Sequence, residues 1–250
     1  MPSLGITPLR LILNTIVDYI QTRYRLHEGK VVPANTDRKM VVLLSRTLSE
    51  VLGKLDRRTW HRLIDMVLMS NASGIAAKRL AECSPRRFSH VRGVAGQAER
   101  IAAVVGADGE LLVAAAWLHD IGYAPELADA GFHPLDGARF LRRQGADGRL
   151  CGLVAHHSCS VIEAEMRGLA DELLAEFPRE ESAISDALIY CDLTTGPDGQ
   201  RLTAEERLAE IISRYGPDSL VGRFIDQARS EMIDAVRRTE ERLRAAGIEH

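Results

Sequence analysis

Five of the eight histidines in this 250-residue chain lie between positions 90 and 157. They are His90, His119, His133, His156 and His157. Asp120 directly follows His119, and Asp192 lies further along the chain. Imidazoles and carboxylates are the side chains that divalent transition metals bind. The residue types therefore point to a metal centre, provided that the fold brings these side chains together.

The positions of these side chains along their helices favour a metal centre. His90 lies four residues before Val94, and His119 lies four residues after Ala115, so both point to the apolar face of a predicted helix. Asp192 falls on the apolar face of its helix in the same way. Burying an unpaired charge costs on the order of several kcal/mol. A divalent cation removes that cost for all of these groups at once.

Each residue also has a simpler interpretation. A histidine on an apolar face is often a hydrogen-bonded core residue, and His133 could merely precede the helix that Pro134 opens. His156 and His157 could form a surface pair near a helix end, and Asp192 could belong to a helix-terminal turn. The order of the residues in the chain decides between these interpretations.

The elements that must position these side chains are predicted to be helices. Apolar residues recur at helical spacing throughout the chain, and no alternating strand pattern of useful length is present. We predict an all-α, bundle-like fold. Thr203 and Glu206 form a capping-box pattern at the start of one helix, and Gly216-Pro217 ends it.

The sequence suggests three regions. Residues 1–74 are predicted to form a helical extension without a chemical motif, bounded by a turn over Asn71–Gly74. Residues 75–200 are expected to form the core that carries the chemistry. Residues 201–250 are expected to form helices that pack on that core, the last of them running from about Ser219 to Gly247.

Composition excludes several function classes. The net charge of −3 and the aromatic content of 5% do not favour binding to nucleic acid. No apolar run approaches the roughly 18 residues that a membrane span needs, and four cysteines without a CxxC pair indicate reduced thiols. We expect a cytoplasmic protein without a membrane partner, and a homo-oligomer is compatible with the sequence.

The ordered motifs resemble those of a known family. His90 is followed by Leu118-His119-Asp120-Ile121-Gly122, then by His133-Pro134-Leu135-Asp136-Gly137-Ala138, then by His156-His157 and Tyr190-Cys191-Asp192. This H…HD…H…H…D series resembles the HD superfamily of metal-dependent phosphohydrolases, over roughly residues 85–195. The resemblance implies an HD-domain helical bundle, here with additional N- and C-terminal helices.

The resemblance also implies roles for the named residues. His90, His119, Asp120 and Asp192 would form the minimal metal site. A second metal would be held by His133 and by one or both of His156 and His157, with Asp120 as the bridging ligand. Asp120 and His119 are the predicted catalytic pair. The mixed ligand set suits one or two ions of Fe, Mn, Co, Ni or Zn.

One departure from the family pattern concerns the cation that binds phosphate. Many two-metal relatives have a lysine where this chain has Tyr123, and every lysine here precedes the motif. An arginine must therefore serve, and Tyr123 itself is a candidate substrate contact. The candidate arginines are Arg86, Arg87, Arg92, Arg142 and Arg143. Ser158-Cys159-Ser160 stands where a cyclic-dinucleotide phosphodiesterase of this superfamily would carry its signature, so that substrate is not predicted.

The expected function is hydrolysis of a small phosphate ester, nucleotide-like in character, by a metal-activated water. Two alternatives remain open at the level of sequence. Some HD-fold proteins with this ligand pattern are di-iron oxygenases, which would use the same ligands with redox-active iron. Others are non-catalytic sensor or interaction modules, although degenerate modules usually lack several ligands.

Overall fold

The computed structural model describes residues 69–248, which fold into α-helices joined by 3-10 turns and loops. In chain order the helices are α1 (Ala72–Leu80), α2 (Pro85–Ile101), α3 (Gly109–Leu118), α4 (His133–Arg143), α5 (Gly148–His156), α6 (Ser160–Arg167), α7 (Ala170–Glu176), α8 (Ala183–Leu193), α9 (Ala204–Tyr215) and α10 (Leu220–Ala245). Within these residues the sole β-type pairing is one isolated bridge, Thr195 with Arg201. The predicted all-α fold is confirmed here.

The helix starts follow the sequence signals. Thr203 caps α9 and forms the predicted capping box with Glu206, whose carboxylate accepts a hydrogen bond of 2.8 Å from the Thr203 backbone N–H. Ser219 caps α10 by accepting a hydrogen bond from the backbone N–H of Gly222. Such caps satisfy backbone donors that a helix leaves unpaired at its first turn.

The centre of the bundle is α3. Its sequence, Gly109 to Leu118, is apolar on nearly every face, and it packs against α1, α2, α5 and α8. A helix that is apolar all round is stable only when neighbours cover it on several sides. His119 and Asp120 follow its last residue directly, so these two polar residues are buried in the middle of the core.

The two C-terminal helices close one side of the bundle. The long helix α10 packs on α8, α6 and α9, with Met232 and Ala235 buried in the interface. Asp186 on α8 accepts hydrogen bonds from Arg238 (2.6 and 2.9 Å) and from Arg242 (2.8 Å) on α10. These ion pairs fix the register of α10 against α8.

Among the described residues, one run is long and apolar enough to meet a simple test of length and hydropathy for a membrane span. An 18-residue window within Pro85–Tyr123 has a mean hydropathy of 1.7. The run is not one straight helix, because Gly106 (φ 59°, ψ −121°) breaks it between α2 and α3. Five apolar residues of α3 are buried in the bundle, and Leu111, Val113 and Trp117 are partly buried against the core, so packing accounts for their composition.

The structure differs from the sequence prediction at a turn and at two short helices, and one predicted region falls mostly outside the described residues. The turn expected over Asn71–Gly74 is confined to Asn71, since α1 already begins at Ala72. Helices α6 and α7 were not expected from the sequence; Gly168, at φ 71°, separates them. The helical extension predicted for residues 1–74 lies outside the described residues, except for its last six positions.

Candidate metal centre

Helix α2 places His90 in the core. Its side chain is buried, and its Nδ1–H donates a hydrogen bond of 3.1 Å to the carbonyl of Gly196. Nε2 on the other side of the ring lies 3.0 Å from Oδ1 of Asp192 on α8. The loop after α8 therefore orients this imidazole. Gly93 lets that loop approach, because a β-carbon there would lie 2.7 Å from the Cα of Gly199.

His119 follows α3 and has 0% of its surface exposed. Its Nδ1–H donates to the Ala116 carbonyl at 2.7 Å, which leaves the lone pair on Nε2. That buried Nε2 makes no well-directed hydrogen bond, although Oδ2 of Asp120 lies 3.3 Å away. A buried nitrogen without a hydrogen bond requires an explanation, and a cation supplies one.

A second pair of imidazoles faces the other oxygen of Asp120. His133 begins α4, and its Nε2 lies 3.3 Å from Oδ1 of Asp120. His157 follows α5, and its Nε2 lies 3.8 Å from the same oxygen and 3.2 Å from Nε2 of His133. The Nδ1–H of His157 donates to the Val154 carbonyl at 2.7 Å, so its Nε2 also presents a lone pair.

The glycine of the His-Asp-Ile-Gly motif allows this approach. A β-carbon on Gly122 would lie 2.0 Å from the His133 carbonyl oxygen and 2.7 Å from the Gly137 nitrogen. The 3-10 turn after Asp120 can therefore pack directly on the first turn of α4. This contact holds His133 next to Asp120.

Asp120 thus belongs to two groups of potential ligands. One group is His90, His119 and Asp120; the other is Asp120, His133 and His157; within each group the ligand atoms lie within 4.8 Å of one another. Asp192 adjoins the first group through His90. Its second oxygen accepts a hydrogen bond from the Ser158 hydroxyl.

The donor set fits divalent metals. Two ligand atoms bound about 2.1 Å from one ion lie roughly 3.0–3.4 Å apart, depending on the bond angle. The Nε2–oxygen distances of 3.3 Å at His119 and His133 and of 3.0 Å at His90 fall in this range. Hydrogen bonds from Nδ1 to backbone carbonyls are the usual second contact of a metal-bound histidine.

Electrostatics keep most of these groups in the state that metals bind. Burial raises the pKa of Asp120, but the Arg87 guanidinium and His119 outweigh it and hold that pKa well below its usual range. Burial raises the pKa of Asp192, but the neighbouring His90 and His119 together outweigh it and lower that pKa. Burial lowers the pKa of His157 to about 3. Ionised carboxylates and a neutral imidazole are the ligand forms.

The structure separates the two adjacent histidines. His157 joins the cluster, whereas His156 ends α5 and donates a hydrogen bond of 2.7 Å from Nε2 to the Phe177 carbonyl. Burial lowers the pKa of His156, so this imidazole is neutral. Seven metal-ligand candidates were predicted, and six of them converge; His156 does not.

Among the predicted substrate contacts, Arg87 and Tyr123 lie at the metal centre. Nη1 of Arg87 lies 2.6 Å from Oδ2 of Asp120, and the guanidinium stands over the Tyr123 ring at 4.1 Å. That ring stacks on His133, with 4.0 Å between ring centroids. The three side chains form a continuous stack beside the bridging carboxylate.

The other predicted arginines lie farther out. Arg86 is exposed and pairs with Asp198 at 3.0 Å. Arg92 is exposed on α2, and Arg143 is exposed at the end of α4. Arg142 makes an ion pair with Glu176. Arg92, Arg142 and Arg143 are all absent from the lining of the cavity over the metal centre.

A cavity of about 430 Å³ opens above the cluster. Its floor contains Asp120, His133, His157 and Asp192, and its walls carry arginines from several elements. An apolar wall comes from α9 and α10, with Ile211, Val221, Phe224, Ile225 and Met232. Volumes of about 300–1,000 Å³ are typical of small-molecule sites.

Several site residues were missed from the sequence. Ser158, Arg167, Arg207 and Arg214 all line the cavity. Arg207 had a detectable signal, since it lies three residues after Ala204 and four before Ile211, on the inward face of α9. That is the criterion that identified His90. Ser158 had no such signal, because its position depends on a backbone with φ 50°.

A family model of the HD domain matches residues 87–218, a little over half of the chain. The match covers His90, both residues of the His119-Asp120 dyad and Asp192, and it extends through α9. No curated protein and no solved structure matches the chain. The sequence order of the ligands, the helical fold and this match agree, and the chain belongs to the HD-domain family, which is of the metal-dependent hydrolase type.

Proposed function

We propose that this protein is a phosphohydrolase that uses two divalent metal ions to cleave a small phosphate ester. The observation that carries the proposal is the position of Asp120. Each of its carboxylate oxygens faces a different pair of imidazoles, at the floor of a cavity whose walls carry arginines. This arrangement suits a bridging carboxylate between two ions.

Divalent ions at these groups would supply a deprotonated water as nucleophile and would neutralise charge on the phosphoryl oxygens. The residues of the chain make that chemistry specific. His90, His119 and His157 are each fixed by an Nδ1–H···O=C hydrogen bond. Their rings cannot turn without losing these bonds, so the ligand lone pairs are pre-oriented.

The arginines replace the lysine that the motif lacks. Arg87 already contacts the bridging carboxylate, and a guanidinium binds two phosphoryl oxygens at once in a planar, bidentate contact. Arg87 would therefore orient the phosphoryl group over the ions. The stack with Tyr123 holds the guanidinium in place.

The apolar wall provides the site for the leaving group. Phe224 and Met232 are buried residues of α10 that line the cavity, and Ile211 of α9 lies beside them. An organic group with a flat or apolar face, such as a nucleoside, would pack there. Its phosphate would then reach the metal centre at the floor.

The test is metal analysis of the purified protein, followed by a screen of phosphomonoesters and nucleotides with the metal found. Asp120→Asn should lose both metal and activity, because the shared ligand becomes a neutral amide. Asp226→Asn is the matched control, since Asp226 is exposed on α10 and lies outside the cavity. That variant should retain both properties.

Two other results would overturn the proposal. A metal-replete protein that is inert toward every phosphate ester would favour the sensor function. Consumption of O2 with a mixed-valent di-iron signal, without phosphate release, would favour the oxygenase.

A further inference from the structure

A small recess adjoins the metal centre on the side of His90. Its volume is about 140 Å³, and its lining is Ser84, Arg86, Arg87, His90, Pro197, Arg207 and Arg214. Four of these side chains are arginines, and the lining contains no carboxylate. Arg87, Arg207 and Arg214 also line the larger cavity, so the two spaces meet at these three guanidiniums.

The carboxylates that pair with these arginines lie outside the lining of the arginine recess. Arg86 pairs with Asp198, and Arg87 pairs with Asp120. Arg207 and Arg214 share one carboxylate, that of Glu210, at 2.6 and 3.2 Å. Asp192 is a fourth carboxylate, which interacts with Arg207. Two of the four carboxylates, Asp120 and Asp192, are proposed metal ligands, so their charge would be shared with the ions.

Arg207 is the most informative of the four. Only 4% of its surface is exposed, and its Nε is buried without a hydrogen-bond partner. A buried guanidinium N–H without an acceptor is costly, so Arg207, which lines the recess, has donor capacity that no protein group uses. This unpaired donor is independent of the composition of the lining and also indicates an anion.

The size of the recess limits the anion. One water occupies about 30 Å³ in the liquid, so the recess has room for four or five groups of that size. A phosphoryl group with its ester oxygen has five heavy atoms and fits, whereas a nucleoside does not. The organic part of a ligand would have to lie against the apolar wall of the larger cavity.

We infer that the arginine recess binds a second phosphoryl group, so that the substrate carries two: a diphosphate or bisphosphate ester. This inference rests on the proposed phosphohydrolase function. One phosphoryl group would lie over the metal centre for hydrolysis. The other would lie among Arg86, Arg207 and Arg214 and would not be cleaved in the same step.

The first experiment measures binding without turnover. Inorganic phosphate is titrated into metal-free protein by calorimetry. Arg207→Gln should weaken binding by about 10- to 100-fold, because a charge-assisted contact is lost. Arg86→Gln tests the exposed rim, where folding is not at risk, and should weaken binding by a smaller factor of about 3 to 10. Arg237→Gln, on the exposed face of α10, should bind phosphate like wild type.

The second experiment compares substrates on the metal-loaded protein. Adenosine 5′-phosphate, ADP and adenosine 3′,5′-bisphosphate share one nucleoside. The wild type should have a KM at least about 10-fold lower for a compound with two phosphoryl groups, since two charged contacts are added. Arg86→Gln and Arg214→Gln should raise the KM for the compound with two phosphoryl groups more than the KM for the monophosphate.

The outcomes separate the recess from the proposed function. Phosphate binding that depends on Arg207 and Arg86, without hydrolysis of any ester, would refute the proposed phosphohydrolase function. It would support anion binding in the recess. Equal phosphate binding by all variants, or equal KM values for mono- and bisphosphates, would overturn the inference. Free phosphate that accelerates monophosphate hydrolysis, without competing with a bisphosphate, would identify an effector site and overturn the substrate assignment.

Discussion

Nη1 of Arg87 lies 2.6 Å from Oδ2 of Asp120, the same oxygen that faces His119 at 3.3 Å. The guanidinium and a metal ion would therefore compete for one carboxylate oxygen. Arg87→Gln should bind divalent metal more tightly, by up to about 10-fold, because a neighbouring positive charge is removed. It should nevertheless lose at least about 10-fold in kcat/KM for a phosphate ester, since a phosphoryl contact is lost.

Calorimetric metal titration and steady-state kinetics on the same preparation check this prediction. Arg142→Gln serves as control, because Arg142 pairs with Glu176 away from the cavity. Weaker metal binding with unchanged kinetics would mean that Arg87 only holds Asp120 in place.

The adjacent histidines form a matched pair for mutation. His157→Ala removes a nitrogen 3.2 Å from that of His133 and should lower metal affinity by at least about 100-fold. His156→Ala removes only a hydrogen bond to Phe177, so it should retain metal and cost about 1–2 kcal/mol of stability. Metal content by elemental analysis and urea denaturation distinguish the two. Equal metal loss in both variants would contradict the assignment of His157.

Two glycines on α2 test how the loop after α8 holds His90. A β-carbon on Gly93 would lie 2.7 Å from Gly199, whereas one on Gly96 would meet nothing within 4 Å. Gly93→Ala should therefore cost about 1–3 kcal/mol and loosen the Gly196–His90 hydrogen bond. Gly96→Ala should stabilise the helix by about 0.5–1 kcal/mol. Thermal denaturation and metal content give the comparison, and equal behaviour of the two variants would show that this close approach is unimportant.

The ion pairs between α8 and α10 predict a pH dependence of stability. Burial raises the pKa of Asp186, but hydrogen bonds from Arg238 and Arg242 outweigh it, so the folded-state pKa is lowered. A lowered folded-state pKa adds stability above the unfolded value of about 4, and this stability is lost as pH falls further. Asp186→Asn should cost about 1–2 kcal/mol at about pH 7.

Urea denaturation of wild type and Asp186→Asn at about pH 7 and about pH 3 measures this effect. The difference in unfolding free energy should shrink at the lower pH, because the unfolded wild-type chain binds a proton at Asp186 more readily than the folded protein does. A difference that is constant with pH would assign the stabilisation to packing and not to the charge of Asp186.

Much of the fold and of the ligand set was predictable from local sequence. Caps and apolar periodicity located α4, α5, α8, α9 and α10 within a few residues. Polar residues on apolar helix faces identified His90, His119 and Asp192, and motif order added Asp120 and His133. These signals can be read from the sequence itself, so they do not require knowledge of the tertiary structure.

The remaining features depend on contacts between distant segments. The choice between His156 and His157 follows from the turn after α5, where Ser158 and Cys159 have positive φ. The arginine recess joins the start of α2 to α9 across more than a hundred residues of sequence. Helical periodicity does not predict which distant segments come into contact, although it places Arg207 on the inward face of α9.

The most direct test of the account is an anomalous-difference map from crystals of the protein loaded with manganese or zinc. We predict two peaks about 3.5–4 Å apart, one beside His90 and His119 and one beside His133 and His157, with Asp120 between them. A single peak, or ions elsewhere with Asp120 still paired only to Arg87, would contradict the two-metal centre.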